Sequence, residues 1–315
     1  MYNEELKQRF ILEFTQSDAN RKLLIKLFNN IEKHELQWGA DFCTRSSQEL
    51  EPMLGDVLGI RSNSRTTALS ALRAYVKWCI QNNVPGAVDG LTDVTVDGSS
   101  KIRNQMVQSP LQLQRYLNAV YEPEDSETID VLYRCYLWCA YIGIDEDLVL
   151  DIKISDVDLR ERTVSVGGRV FYFYKEADLA FRKALELESF NYSHKNYGTI
   201  RRDRNEGDTL FRGYKGETKL RTLRAALTGN SALAVKEGKT QRRLTYDKTK
   251  LSGLFFRIYE RECNGFDADF QSVASAMAEE KRTQESSEET VRLMRVRKEW
   301  ELKKDYNNWK TAFML

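Results

Sequence analysis

Basic side chains fall into clusters along this chain, and what such clusters can do is hold phosphate. Arg61, Arg65, Arg73 and Lys77 share one helical stretch with Ser64, Thr66 and Thr67 at its start. Lys195, Arg201, Arg202 and Arg204 crowd a polar stretch, and Lys239, Arg242, Arg243, Lys248 and Lys250 precede and open a later helix. Guanidinium forks match phosphate oxygens two at a time, and lysine acts as a point charge. Hydroxyls at a helix start can bond phosphate or base edges. Taken singly, each cluster is also what a solvated loop or helix face looks like. Other chemistry is sparse. The five cysteines form no CxxC pair. Cys135 and Cys139, four apart on a predicted helix, could supply half a metal site, but His34 and His194 are the only histidines and neither is near that pair in sequence. The cysteines read as buried, reduced core thiols, and neither metal nor cofactor is expected. GYKGETK (213–219) lacks the spacing of a phosphate-cradling loop and reads as a turn.

The elements that must position these residues are mostly helical. With 315 residues the chain is long enough for two domains, each with its own core. Residues 1–83 carry helical periodicity throughout: NEELKQRFILEF, NRKLLIKLFNNIEKHELQW, a helix opened by the capping box Ser46/Glu49, and RTTALSALRAYVKWCIQNN, which Pro85 and Gly86 end. In the last of these, Leu69, Leu72, Val76, Cys79 and Ile80 make an apolar stripe. Thr66, Ser70, Arg73, Lys77 and Gln81 make a separate polar and basic strip. Residues 85–108 hold Gly, Asp and Ser with little helical periodicity, which predicts a linker. A second domain opens at Ser109-Pro110, with Gln112 at the third helical position. Helices are predicted at 126–142 and 145–151. A strand TVSV, a turn GGR and a strand VFYFY follow, then a helix at 176–189, the polar stretch 191–208, and helices at 217–227, 249–263, 267–283 and 287–310.

Two stretches carry a family resemblance. SNSRTTALSALRAYVKWCIQNN resembles the core-binding domain of tyrosine recombinases, the phage integrase family. YIGIDEDLVLDIKISDVDLRERTVSV (141–166) resembles that family's pattern T-G-L-R-x-S-E-L-L-x-L-x-x-x-D-I-D before a strand, with Gly143-Ile144, Leu150, Ile152 and Ser155-Asp156-Val157-Asp158 in register. More narrowly, MYNEELKQRF, YVKWCIQNN, LTYDKTKLSGLFFRIYERE and DYNNWKTAF resemble the lytic-cycle repressors of SPβ-like Bacillus phages. The resemblance implies a mainly α, two-domain clamp: an all-helical, SAM-like core-binding domain (1–84), a linker (85–108), and a catalytic-like domain (109–315) with a small antiparallel sheet.

The family's reaction would need arginines and a histidine around a scissile phosphate, whose developing charge they stabilise. Where the resemblance puts the first arginine, this chain has Asp145, which also suits the N-cap of the following short helix. Leu148 stands where the family has an acid. The H-x-x-R positions fall on Asp247 and Lys250 if the register is anchored on Leu244-Thr245, or on Thr249 and Ser252 if anchored near Gly253. The hairpin lysine falls near Arg169, which keeps charge but is a poor proton donor. Tyr306 could take the nucleophile's place, or pack in the terminal helix beside Trp309.

The expectation is therefore a protein that is no enzyme. It would be a sequence-specific repressor that binds double-stranded operator DNA to maintain phage lysogeny. A divergent recombinase using Tyr306 and a non-enzymatic accessory DNA-binding protein are the alternatives. Net charge is +1, so acidic residues would have to be segregated from the DNA-facing clusters. A small protein or peptide antagonist is a further expected partner, although no motif marks one. No apolar run approaches the roughly 18–20 residues of a membrane span, and MYNEELKQRF is charged, unlike a secretory signal. The expected location is the cytoplasm of a bacterial host cell.

Overall fold

The computed structural model describes residues 1–58, 62–92, 94, 99–123, 127–194, 198–213, 218–280 and 287–315; at 62–65, 192–194 and 280 it describes the backbone alone. In chain order the elements are α1 (Glu4–Phe14), α2 (Asp18–Trp38), α3 (Ser47–Val57), α4 (Ser62–Gln81), α5 (Ser99–Gln105), α6 (Pro110–Val120) and α7 (Asp130–Ile142). A 3-10 helix (Glu146–Asp151) leads to β1 (Val157–Asp158), β2 (Thr163–Val166), β3 (Arg169–Tyr172) and α8 (Asp178–Glu186). Then come β4 (Ser189–His194), β5 (Gly198–Asp203), α9 (Leu220–Lys236), α10 (Tyr246–Cys263), α11 (Phe270–Glu280) and α12 (Glu288–Phe313). The protein is mainly α, with two small antiparallel sheets among the described residues, β1-β2-β3 and β4-β5. No described helix is long and apolar enough to cross a membrane.

By internal packing the chain forms two compact units, Met1–Ile102 with Phe270–Leu315, and Arg103–Asp269. Residues 270–315 group with the N-terminal helices, whereas a division in chain order keeps them with 109–269.

In the first unit, Phe10, Phe28, Phe42, Leu72 and Tyr75 share an apolar core. The Ser46 start behaves as its sequence predicts, since the Glu49 carboxylate accepts from both the Ser46 N–H (3.0 Å) and its hydroxyl (2.8 Å). Along α4, Leu72, Val76 and Cys79 are buried, but Ile80, assigned to the same stripe, is 40% exposed because it lies at that stripe's edge. Inside this core lies a charged network that apolar periodicity hides. Lys7 Nζ donates to both Glu35 oxygens (2.6 and 2.5 Å) and lies 3.6 Å from Asp41, which accepts from the Tyr75 hydroxyl at 2.9 Å. Lys7 and Glu35 are fully buried. At the other end of the chain, α12 packs on α11 and α4.

The second unit is built on α7, whose residues Val131–Ile142 are all buried or partly so. α10 lies against α7 so closely that a Cβ on Gly253 would stand 1.8 Å from the Tyr141 carbonyl oxygen. Gly253→Ala must therefore push the two helices apart. We expect a loss of about 1–3 kcal/mol, the usual range for overpacking, read as a lower urea midpoint at unchanged slope.

The Ser109-Pro110 start is also as predicted: Ser109 Oγ accepts from Gln112 N at 3.3 Å, and Gln112 Oε1 accepts from Gln108 N at 2.7 Å. The hairpin predicted from TVSV, GGR and VFYFY is present, but its turn is two residues: Arg169 belongs to β3 and pairs with Val166, Phe173 and Tyr174 lie beyond that strand, and φ is positive at both Gly167 and Gly168. Three expectations need correction. The linker 85–108 contains a helix, α5. The polar stretch 191–208 supplies much of a second hairpin, β4–β5, held by backbone pairing from Ser189↔Asp203 to His194↔Gly198. Cys263 is exposed on the last turn of α10, although the other four cysteines are buried as expected.

Candidate functional site

The site grows from the end of α7. Gly143, at φ 103, terminates that helix, and Tyr246 at the start of α10 donates its hydroxyl to the Ile144 carbonyl (3.0 Å). Asp145 follows with extended backbone at the N-cap of the 3-10 helix, yet its side chain makes no capping bond. Its carboxylate is taken by two cations from other elements: Arg169 Nη1 donates to Oδ2 at 3.2 Å, and Lys250 Nζ donates to Oδ1.

Each partner is positioned by a local feature. Arg169 is the first residue after the tight glycine turn, and its guanidinium lies 4.9 Å over the Phe171 ring on the same face of β3. Leu148 packs against the hairpin: a Cβ on Gly167 would come within 2.9 Å of its Cδ1, and the positive φ of 58 there favours glycine. Lys250 sits just over one turn into α10, whose start is capped by Thr245 Oγ1 accepting from Lys248 N (3.3 Å).

Beside Asp145, Glu146 makes a parallel arrangement. Arg224 of α9 grips its carboxylate with two N–H groups (Nε to Oε1 2.7 Å), and the Tyr136 hydroxyl donates to Oε1. Burial pushes the Glu146 carboxyl up, but these bonds outweigh it and hold it below the usual carboxylate range. Arg224, Glu146 and Tyr136 were not singled out from the sequence. Nothing local pairs residues 78 apart, and the only hint was that Arg224 follows Leu223 off the apolar face of α9.

The two registers for the H-x-x-R positions behave differently. One brings Lys250 to Asp145 and leaves Asp247 exposed. The other falls on Thr249 and Ser252, both fully buried. The Thr249 hydroxyl donates to the Thr245 carbonyl (2.9 Å); that of Ser252 donates to the Lys248 carbonyl (2.7 Å) and accepts from Val107 N (3.2 Å). Those hydroxyls serve helix packing. Tyr306, in the first unit, is 1% exposed, stacked on Trp309 (6.0 Å between centroids) and 5.4 Å from Phe270.

The basic clusters divide between buried and exposed side chains. Arg204 must be removed from the surface set. It is buried, with its guanidinium donating to the carbonyls of Ala184 (2.8 Å), Leu187 (2.9 Å), Arg212 (3.3 Å) and Leu210, and burial pulls its pKa down to about 10. Arg73 is likewise engaged, holding the loop after α4 through the carbonyls of Leu91 (2.9 Å), Thr92 (3.2 Å) and Val94 (3.1 Å). Thr67 and Lys77 are exposed on α4, as is Thr66. Arg201 and Arg202 lie on successive positions of β5, hence on opposite faces, and Arg201 Nε donates to Ser189 Oγ at 2.5 Å. Arg243 is exposed, Arg242 and Lys248 half-buried, and Lys239 pairs with Glu237 at 2.9 Å. Arg61 and Lys195 lie outside the described residues, as do the side chains of Ser64 and Arg65. Among the described residues no group of His, Cys, Asp and Glu is arranged to hold a metal ion.

Residues 1–81 match the family model described as "MrpR, N-terminal core-binding domain". Two solved structures are similar over most of the chain. One is a XerA recombinase, with 17% identity, 84% of this chain and 86% of that one covered, and a TM-score of 0.36. The other is the integrase of mycobacterium phage Brujita, with 14% identity, 95% and 91% covered, and a TM-score of 0.34. No curated protein sequence matches the chain.

Proposed function

We propose that this protein is a sequence-specific double-stranded DNA-binding repressor with the tyrosine-recombinase plan and without its chemistry, acting on phage lytic genes to maintain lysogeny. The observation that carries the reading is Asp145. A carboxylate stands where the recombinase pattern needs an arginine, and it consumes the charge of Arg169 and Lys250. Such a centre offers less of the positive charge that stabilises a pentavalent phosphate, and losing even one such donor costs about 3–4 kcal/mol of barrier. The burial of Thr249, Ser252 and Tyr306 supports the same reading.

Binding is supported by the core-binding match over residues 1–81 and by the solvent-facing basic and hydroxyl groups of α4, β5 and the segment before α10. Phosphate contacts, Lys77 and Arg202 among them, would supply most of the affinity, and groove contacts from the α4 surface, where Thr66 and Thr67 lie, the choice of sequence.

The test is salt-dependent binding of genomic fragments from the source organism against random duplex. Lys77→Ala and Arg202→Ala are each expected to lower affinity for all sequences and flatten the salt slope by about one. A wild-type protein that shows no preference for any fragment would overturn the repressor reading in favour of an accessory, architectural role.

A further inference from the structure

We propose that Asp145 is an internal anion seated beside the place where a DNA backbone phosphate would bind, so that a phosphodiester must compete with its carboxylate for Arg169 and Lys250. The inference rests on the reading above that this protein meets duplex DNA. Its grounds are geometric. Two cations from separate elements, a hairpin and a helix, converge on a single carboxylate. The Asp145 side chain is only 16% exposed, whereas that of Arg169 is 58% and that of Lys250 33% exposed, so the wet side of the cluster is the cationic side. A carboxylate and a phosphodiester both present two acceptor oxygens on one centre, and the same donors serve either. Asp145 caps no helix, so its carboxylate is not tied to the backbone of its own segment.

The neighbouring pair sharpens the point. Arg224 is held by Glu146, so three cations (Arg169, Lys250, Arg224) here face two carboxylates. Non-specific affinity for DNA grows with every phosphate neutralised. A repressor must find a few sites among very many competitors, and what matters is the ratio of specific to non-specific binding. Cations already satisfied by an internal carboxylate add little to indiscriminate attraction. They are released only where the rest of the interface holds a phosphate firmly against them.

The experiment compares the full-length wild type, Asp145→Asn, and Asp145→Asn combined with Lys250→Gln, each checked for native circular dichroism. If the Asn variant does not fold, Asp145→Ser takes its place. Two probes are used: inorganic phosphate, read as a shift in Tm, and a random-sequence duplex, read by fluorescence anisotropy between about 50 and 200 mM salt. Asp145→Asn is expected to bind the random duplex about 3- to 10-fold more tightly, to steepen the salt slope by about one, and to gain a larger Tm shift from phosphate. Lys250→Gln is expected to cancel these gains. Equal or weaker response of the folded variant to both probes would overturn the inference while leaving DNA binding by the wild type standing. A gain on phosphate in a protein whose wild type binds no duplex would sink the DNA reading and keep the internal anion.

Discussion

Lys7→Met is expected to destabilise the protein by about 3–5 kcal/mol, because it leaves two buried acidic side chains without the cation between them. Lys7 and Glu35 are fully buried and Asp41 nearly so, and Lys7 is the only cation bonded to Glu35 among the described residues. Burial already pushes the Glu35 carboxyl above the usual range, and Lys7 pulls it back only in part. Without Lys7 only the Phe42 N–H is left to oppose that push, and the sign of the pH dependence follows. A carboxyl whose folded pKa lies above its unfolded value binds more protons when folded, so stability falls as pH rises through that raised pKa. An ordinary paired carboxylate does the reverse. Urea titrations at two pH values measure both quantities. Adding Glu35→Gln should return part of the loss, since the amide oxygen can still accept from Phe42 N, which now meets Oε1 at 3.1 Å. A loss below about 1 kcal/mol would mean that water reaches the network.

The second large effect is at Arg204. Its guanidinium is the shared donor for four carbonyls, so Arg204→Ala orphans several buried acceptors together, each worth about 1–3 kcal/mol. A total loss of about 3 kcal/mol or more is expected, read from the urea midpoint. The salt slope of DNA binding by the folded fraction should not change, whereas removal of a phosphate-contacting arginine would lower it by about one. A stable variant with a flatter slope would return Arg204 to the DNA-facing set.

These two residues also mark the limits of what the sequence discloses. Local signals were legible: Ser46 with Glu49, Ser109-Pro110 with Gln112, and two glycines between β-branched runs each specify a start or turn within a few residues, and each is found in the structure. The β4–β5 hairpin was not legible. Phe190, Tyr192 and Ile200 do alternate with polar residues, but the surrounding Asn, Arg, Asp and Gly read as loop, and backbone pairing overrode composition. Side-chain fate was least legible of all. Arg201, Arg202 and Arg204 look alike in a row of basic residues, yet Arg204 turns inward to carbonyls that α8, the segment after it and the 210–212 segment leave open. Lys7 reads as a polar helix position until α2 brings Glu35 to it. At the candidate site, Asp145 was singled out from sequence as the wrong charge in the right frame. That Arg169 and Lys250 would both turn to it depends on pairings 24 and 105 residues away.

The most direct test of the central claim, a DNA-binding protein that does not cut, is a mobility-shift assay with fragments of the source genome. A nicked suicide duplex carrying the selected sequence is run in parallel on a denaturing gel. The account predicts selective, salt-sensitive, reversible shifts and no covalent adduct, with Tyr306→Phe binding like the wild type wherever it remains folded. A covalent protein–DNA adduct that forms with the wild type and disappears in folded Tyr306→Phe would contradict it.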